Sequence, residues 1–285
     1  MSEAASPLGS PGTGPSNLTL RIVSAIILAL LALGLTYLGG FAFRLFASAL
    51  AVLVFYEWTA MRPAESRIHT AVSWGALAVF LLALLAAVSA PAALAMLLIC
   101  FLVALVHGGF SGDDRWSAYG IAYAGIPATA LAYLRGDDSA GLIAILFLYA
   151  VVWATDILAY FVGRAVGGPK LAPSISPGKT WSGAAGGAVG GILAGGLVAY
   201  LSGAALPFWA VLLLALLLSL VSQLGDLFES MIKRRSGVKD SGSFIPGHGG
   251  VMDRVDGLVA AALVLYLLGV IFSGHAAPAG LFSPR

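Results

Sequence analysis

After a polar opening, the chain settles into long apolar runs broken by short polar stretches. A helix that crosses a bilayer needs about 20 predominantly apolar residues. Nine stretches meet that need, near residues 20–39, 41–61, 71–90, 91–107, 117–134, 141–163, 181–202, 206–225 and 255–273. Only Ala90-Pro91 separates the third from the fourth. Their combined run is too long for one crossing, so the pair reads as a tight turn between two helices. Two connections are long and polar, residues 164–180 and 226–254, and the rest are short.

Composition supports this pattern. Hydrophobic residues make up 60% of the 285 and charged residues 10%, whereas a soluble domain carries about 25% charged residues. With so few charges, lipid must solvate most of the apolar surface. The expected fold is all-α, a polytopic integral membrane protein with about nine transmembrane helices. Residues 1–18, rich in Ser, Pro and Gly, read as a disordered tail. Residues 19–139 read as amino-terminal transmembrane helices, 140–275 as the region that carries the chemistry, and 276–285 as a carboxy-terminal tail. Arg21 followed by an apolar run is similar to a signal peptide, but the run is long enough to span, so it reads as an uncleaved first helix. The single cysteine, Cys100, sits in an apolar run and has no partner for a disulfide.

Basic residues orient the bundle, because cytoplasmic loops are enriched in Lys and Arg. With nine spans, one side collects Arg21, Arg62, Arg67, Arg115, Arg164, Lys170, Lys179, Lys233, Arg234, Arg235, Lys239 and Arg254, and the other only Arg44, Arg135 and Arg285. Twelve against three places the amino terminus and both long connections in the cytoplasm, so an active site there faces that compartment. In the seventh run, Gly183, Gly187, Gly191 and Gly195 repeat every four residues, and Gly186 and Gly190 form a second row. Small residues at this spacing let helices approach closely in lipid. Packing within the bundle, a homodimer face and a groove for a lipid tail all remain open.

The chemistry gathers late. Asp226 and Glu229 fall where the eighth run ends, and Asp253 and Asp256 where the ninth begins. A spacing of three puts each pair on one helical face. Asp253 at a helix start suits the helix dipole, but Asp226 at a helix end does not, so Asp226 needs another partner. Carboxylates that meet repel unless a cation joins them, and magnesium binds through one or two carboxylates plus substrate phosphates. Asp226, Asp253 and Asp256 are therefore the expected metal ligands, with room for a second cation. Between the acids lie Lys233-Arg234-Arg235, Lys239-Asp240 and Pro246-Gly247-His248-Gly249-Gly250. Alone, the bases would read as an anchor to anionic lipid. The glycines add a turn whose amides can converge on an anion at a helix start. Acids, bases and a glycine turn so close together suit phosphoryl-type transfer. His248 fits orientation of a phosphate better than proton abstraction, since a phosphate is already ionised near neutral pH. Asp156 lies inside an apolar run, where a charge is costly and usually functional. His69, His107 and His275 receive no role.

These residues carry a resemblance. Ser222-Gln223-Leu224-Gly225-Asp226-Leu227-Phe228-Glu229-Ser230, then Met231-Ile232-Lys233-Arg234, Lys239-Asp240, Pro246-Gly247-His248-Gly249-Gly250, Asp253-Arg254 and Asp256 are similar to the signature of the phosphatidate cytidylyltransferases, or CDP-diacylglycerol synthases. Asp156, Ala159-Tyr160-Phe161, Gly163-Arg164 and Ser176-Pro177-Gly178-Lys179-Thr180-Trp181 resemble an upstream part of that family. Gly178 stands where many members have Lys, Ser182 where many have Glu, and Ile157-Leu158 replaces Thr-Gly. The resemblance covers about residues 140–273. It implies that CTP and phosphatidate give CDP-diacylglycerol and pyrophosphate, with magnesium as cofactor. It also implies a bacterial cytoplasmic membrane, contact with membrane lipids and no nucleic-acid partner. Asp226 and Asp253, with Asp256, would then hold the metal. Lys233, Arg234 and Lys239, beside Asp240, would neutralise phosphates, and Gly247, His248, Gly249 and Gly250 would form the phosphate turn. Ser176, Lys179, Thr180, Ser230 and Arg254 would contact substrate.

Two other readings compete. Asp253-Arg254-Val255-Asp256-Gly257 is similar to part of the CDP-alcohol phosphotransferase motif, but that family's later acids are missing, since no acid follows Asp256. A transporter or scaffold could also have nine helices, but transporters place polar groups near the bilayer midplane, and here they gather at one face.

Overall fold

A computed structural model describes residues 17–112, 115–245 and 249–283. Among them nine helices follow in order. They are α1 (Asn17–Leu38), α2 (Gly40–Met61), α3 (Arg67–Leu85), α4 (Ala90–Ser111), α5 (Trp116–Arg135), α6 (Ser139–Val166), α7 (Trp181–Ser202), α8 (Phe208–Arg235) and α9 (Met252–Ser273). A two-stranded antiparallel hairpin, β1 (Lys170–Ala172) and β2 (Ser176–Thr180), joins α6 to α7. The all-α expectation agrees with this architecture, and each apolar run is a helix. Seven helices, α2–α4 and α6–α9, are long and apolar enough to cross a membrane. The chain is an integral membrane protein.

The α3–α4 pair is the expected hairpin. Its turn includes Ala87 at φ 54°, and Pro91 falls in the first turn of α4, where its missing N–H leaves no helical bond unmade. The chemistry-bearing region departs more from expectation. Helix α8 does not stop near 225 but runs to Arg235, and α9 starts at Met252 rather than 255. The connection expected over 226–254 shrinks accordingly. Hydropathy marks where apolar residues end, not where the backbone stops being helical. Here the helix continues because Glu229, Ile232 and Lys233 are buried along one face and Lys233 pairs with Glu229 one turn back at 2.7 Å. Asp226 is thus interior to α8, and the dipole argument for an acid at a helix end does not apply to it.

The glycines of α7 are used inside the chain. A Cβ added at Gly183 would lie 2.7 Å from the Ala159 carbonyl oxygen, and one at Gly187 would lie 2.8 Å from that of Thr155. Helices α6 and α7 therefore touch backbone to backbone, as small residues permit in lipid. Bundle packing, among the open readings, accounts for this row, and the glycine face gives no ground for a homodimer. Helices α8 and α9 cross just as closely. A Cβ at Gly225 would meet the Asp256 carbonyl oxygen at 2.8 Å, and one at Gly257 would meet that of Ser222 at 3.0 Å. These glycines precede Asp226 and follow Asp256 in sequence, so the close crossing draws the two acids together.

Two apolar clusters fill the remainder. One joins Phe55, Trp58, Leu77, Phe80, Leu84 and Ile121 from α2, α3 and α5. The other joins Phe147, Leu148, Leu218, Ala261 and Leu265 from α6, α8 and α9.

Candidate active site

Helices α6, α7, α8 and α9 and the β1–β2 hairpin line a cavity of about 700 Å³. Gly167 and Gly168, at φ 67° and 102°, end α6 and let the chain turn into the hairpin. The Ser182 hydroxyl donates to the Gly167 carbonyl, tying the start of α7 to the end of α6. The Thr180 hydroxyl accepts from the Gly183 amide at 3.1 Å and so caps α7. This local order carries Ser176, Lys179 and Thr180 into the cavity wall, facing Asp156 and Arg164 of α6, Gln223 and Asp226 of α8, and Asp253, Arg254 and Asp256 of α9.

Two carboxylate centres share this wall. At the first, Lys179 Nζ lies 2.6 Å from Asp226 Oδ2, and the Ser230 hydroxyl approaches Asp226 Oδ1 at 3.4 Å. Asp156 interacts electrostatically with Asp226, Lys179 and Arg254, and Asp256 with Asp226, Glu229 and Asp156. At the second centre, Lys233 Nζ lies 2.5 Å from Asp253 Oδ1 and 2.7 Å from Glu229 Oε2. The amides of Ser241 and Gly250 donate to Asp253 Oδ2 at 3.2 and 3.0 Å. Glu229 is fully buried and Lys233 nearly so. Burying charge is costly unless it is paired, and here one ammonium serves two carboxylates.

The predicted residues therefore separate into groups. Asp156, Ser176, Lys179, Thr180, Asp226, Asp253, Arg254 and Asp256 meet at the cavity. Ser230 stands behind Asp226. Lys233 sits behind Asp253 instead of lining the cavity. Arg234 is exposed and donates to the carbonyls of Ile175 and Val238, both at 3.3 Å. Lys239 and Asp240 are exposed on the loop after α8. Gly247 and His248 lie outside the described residues. Gly249 takes φ 86°, a conformation that favours glycine. The amides that follow it do not turn to open space: Gly250 donates to Asp253, while Val251 and Met252 donate to Glu57 at 2.7 and 2.8 Å. Of the turn that the sequence suggested for a phosphate, the Gly250 amide is held by a carboxylate.

Glu57 is the residue the sequence reading missed. Its one signal was an acid inside the apolar run of α2, which is costly in lipid and usually functional. Glu229, Tyr160, Arg164 and Gln223, quoted in the sequence motifs but given no role there, and Lys170 also join or back the cavity.

The donor chemistry suits a hard cation. The cavity wall offers carboxylate oxygens from three helices, and at both centres an ammonium already sits against them. Among the described residues no three acidic, histidine or cysteine side chains are arranged to hold a metal by themselves. Magnesium commonly completes its shell with substrate phosphates and water.

Comparison with known proteins comes down on one family. The sequence model of the Cytidylyltransferase family matches residues 19–272. A phosphatidate cytidylyltransferase of Brucella suis biovar 1 is 50% identical over 271 residues, covering 94% of this chain and 98% of the relative. One from Brucella abortus biovar 1 is 51% identical over 262 residues, covering 90% and 95%. One from Bacillus subtilis is 38% identical over 180 residues, covering 63% and 67%. The chain belongs to the cytidylyltransferase family.

Proposed function

From this membership we propose that the chain is a phosphatidate cytidylyltransferase, converting CTP and phosphatidate into CDP-diacylglycerol and pyrophosphate. The observation that carries this reading is the cavity itself, where Lys179 and Asp226 meet Asp156, Asp256 and Arg254 between apolar helices. A reaction between a water-soluble triphosphate and a lipid phosphate needs a charged chamber among membrane helices.

An oxygen of the lipid phosphate attacks the α-phosphorus of CTP in line. The new P–O bond forms as the bond to the β-phosphate breaks, and pyrophosphate leaves. The attacking phosphate is already ionised, so the step requires no protein nucleophile and no general base. Lys179 and Arg254 neutralise phosphate charge, and Ser176 and Thr180 offer hydroxyls from the hairpin. Asp226 and Asp253, backed by Asp256, would hold magnesium, which when bound supplies positive charge at the phosphates. Lys179 is then free to turn from Asp226 to a phosphate. Lys233 keeps Asp253 oriented. Asp156 orients Lys179 and Arg254. Arg234 and Lys239 attract anionic substrate at the surface.

The nine helices all span, α1 and α5 completing the seven. The excess of basic loops supports an amino terminus and a cavity on the cytoplasmic side, and the bacterial source of the relatives supports an inner membrane.

The test is label transfer. Purified protein in detergent micelles is given phosphatidate, magnesium and CTP labelled at the α-phosphate. Label should pass into lipid, stop on addition of EDTA and return with excess magnesium. Well-folded protein that labels no lipid would refute the reading.

A further inference from the structure

Glu57 lies on α2, a helix that contributes nothing to the cavity wall, and is 1% exposed. We propose that it is a positioning residue for the transfer reaction, fixing the start of α9 and through it the carboxylate of Asp253. The inference rests on the function proposed above.

Three donors converge on its two oxygens. The Val251 amide donates to Oε1 at 2.7 Å, and the Met252 amide and Ser241 hydroxyl donate to Oε2, both at 2.8 Å. These partners lie 184 to 195 residues away in sequence. Helix α9 has no side-chain cap of its own, and its opening amides need acceptors if buried. Glu57 supplies them from another helix, with a negative charge at the positive end of the dipole.

The same segment is held from its other side by Asp253. Ser241 is bonded twice, its hydroxyl to Glu57 and its amide to Asp253. Gly250 donates to Asp253 and the next two amides donate to Glu57. The two carboxylates thus grip one loop between them, and a shift at Glu57 reaches Asp253 through Ser241 and the amides of residues 250–252. Two glycines fit this grip. A Cβ at Gly242 would lie 2.8 Å from Glu57 Oε1, and one at Gly250 would lie 2.0 Å from Ser241 Oγ and 2.6 Å from Glu57 Oε2. Part of the glycine-rich segment is therefore shaped to a carboxylate of α2.

The experiment uses the full-length protein in micelles. Glu57→Gln keeps the size of the side chain but sets an amide N–H against a backbone or hydroxyl donor. Turnover should fall by on the order of 10- to 100-fold, the usual consequence of losing a group that orients a ligand. The magnesium concentration for half-maximal rate should rise, while KM for phosphatidate stays near that of the wild type. A purely structural role would lower the melting temperature and leave the magnesium dependence unchanged. Wild-type turnover and magnesium dependence in Glu57→Gln would overturn the proposal. If that variant does not fold, Ser241→Ala decides: it removes one donor, and a folded Ser241→Ala with unchanged magnesium dependence overturns it equally. If the wild type labels no lipid, the functional reading fails instead. Hydrogen exchange then tests the grip alone: Glu57→Gln should speed exchange at residues 250–252, and unchanged exchange there overturns it.

Discussion

Helices α2–α5 and helices α6–α9 both use glycine to make room for side chains, but the second half also uses it to bring backbones together. In the amino-terminal half a glycine makes a notch for a side chain. A Cβ at Gly120 would strike the Trp58 ring at 2.6 Å, and one at Gly125 would strike the end of Leu97 at 2.4 Å. In the second half four glycines admit backbone: Gly183 and Gly187 meet carbonyls of α6, and Gly225 and Gly257 meet carbonyls across the α8–α9 crossing, while Gly186 and Gly195 of α7 meet side chains as Gly120 and Gly125 do. Rings and leucines give the first half a thick apolar core, with Trp58 and Trp116 stacked at 4.5 Å and each indole N–H donating to the other residue's carbonyl. Close backbone approach gives the second half short distances between charged groups on neighbouring helices. The first half is a scaffold that sends one carboxylate, Glu57, into the second, where the acids and bases meet.

Substitutions can break or sharpen this contrast. The largest effect is expected from Lys233→Met, which leaves Glu229 and Asp253 buried without their shared ammonium. Loss of one partner of a buried pair costs about 3–5 kcal/mol, so denaturation in detergent should show a large drop in stability as well as lost activity. Next is Asp226→Asn. It should lower label transfer by on the order of 10²–10³-fold, as loss of a preorganised electrostatic group does, with little change in melting. The glycine contrast itself is tested by a matched pair. Gly187→Ala presses on the Thr155 carbonyl and should destabilise by about 1–3 kcal/mol. Gly125→Ala presses on the side-chain end of Leu97, which can turn where a carbonyl cannot, and should destabilise less. Equal losses would mean that the two halves do not differ in this way. The smallest effect is expected at Gly178→Lys. Nothing lies within 4 Å of a Cβ there, so stability should stay within about 0.5 kcal/mol.

The positions of the helices were legible because nine apolar runs near bilayer length leave few alternatives. Their ends were not, since Asp226–Arg235 stays helical on the strength of a buried face and the Glu229–Lys233 pair, neither of which hydropathy registers. The late acids, the basic run and the glycine turn were visible as types of residue. Their partners were hidden: sequence spacing does not reveal that Lys179 meets Asp226 across 47 positions, 226 minus 179, or that Lys233 turns inward to Asp253. The hairpin after α6 read only as a polar loop, because its strands of three and five residues are too short for alternation to show. Glu57 was one acid in an apolar run, and the loop it holds is almost two hundred residues further on.

The central claim is that the chemistry takes place in the cavity walled by α6, α8, α9 and the hairpin. A cryo-electron microscopy map of the protein with CTP and magnesium, and without phosphatidate, tests it most directly. The account predicts triphosphate density between the hairpin and the start of α9, with Lys179 turned from Asp226 toward a phosphate. Triphosphate bound among α1–α5, or at a distance from Asp226 and Asp253, would contradict it.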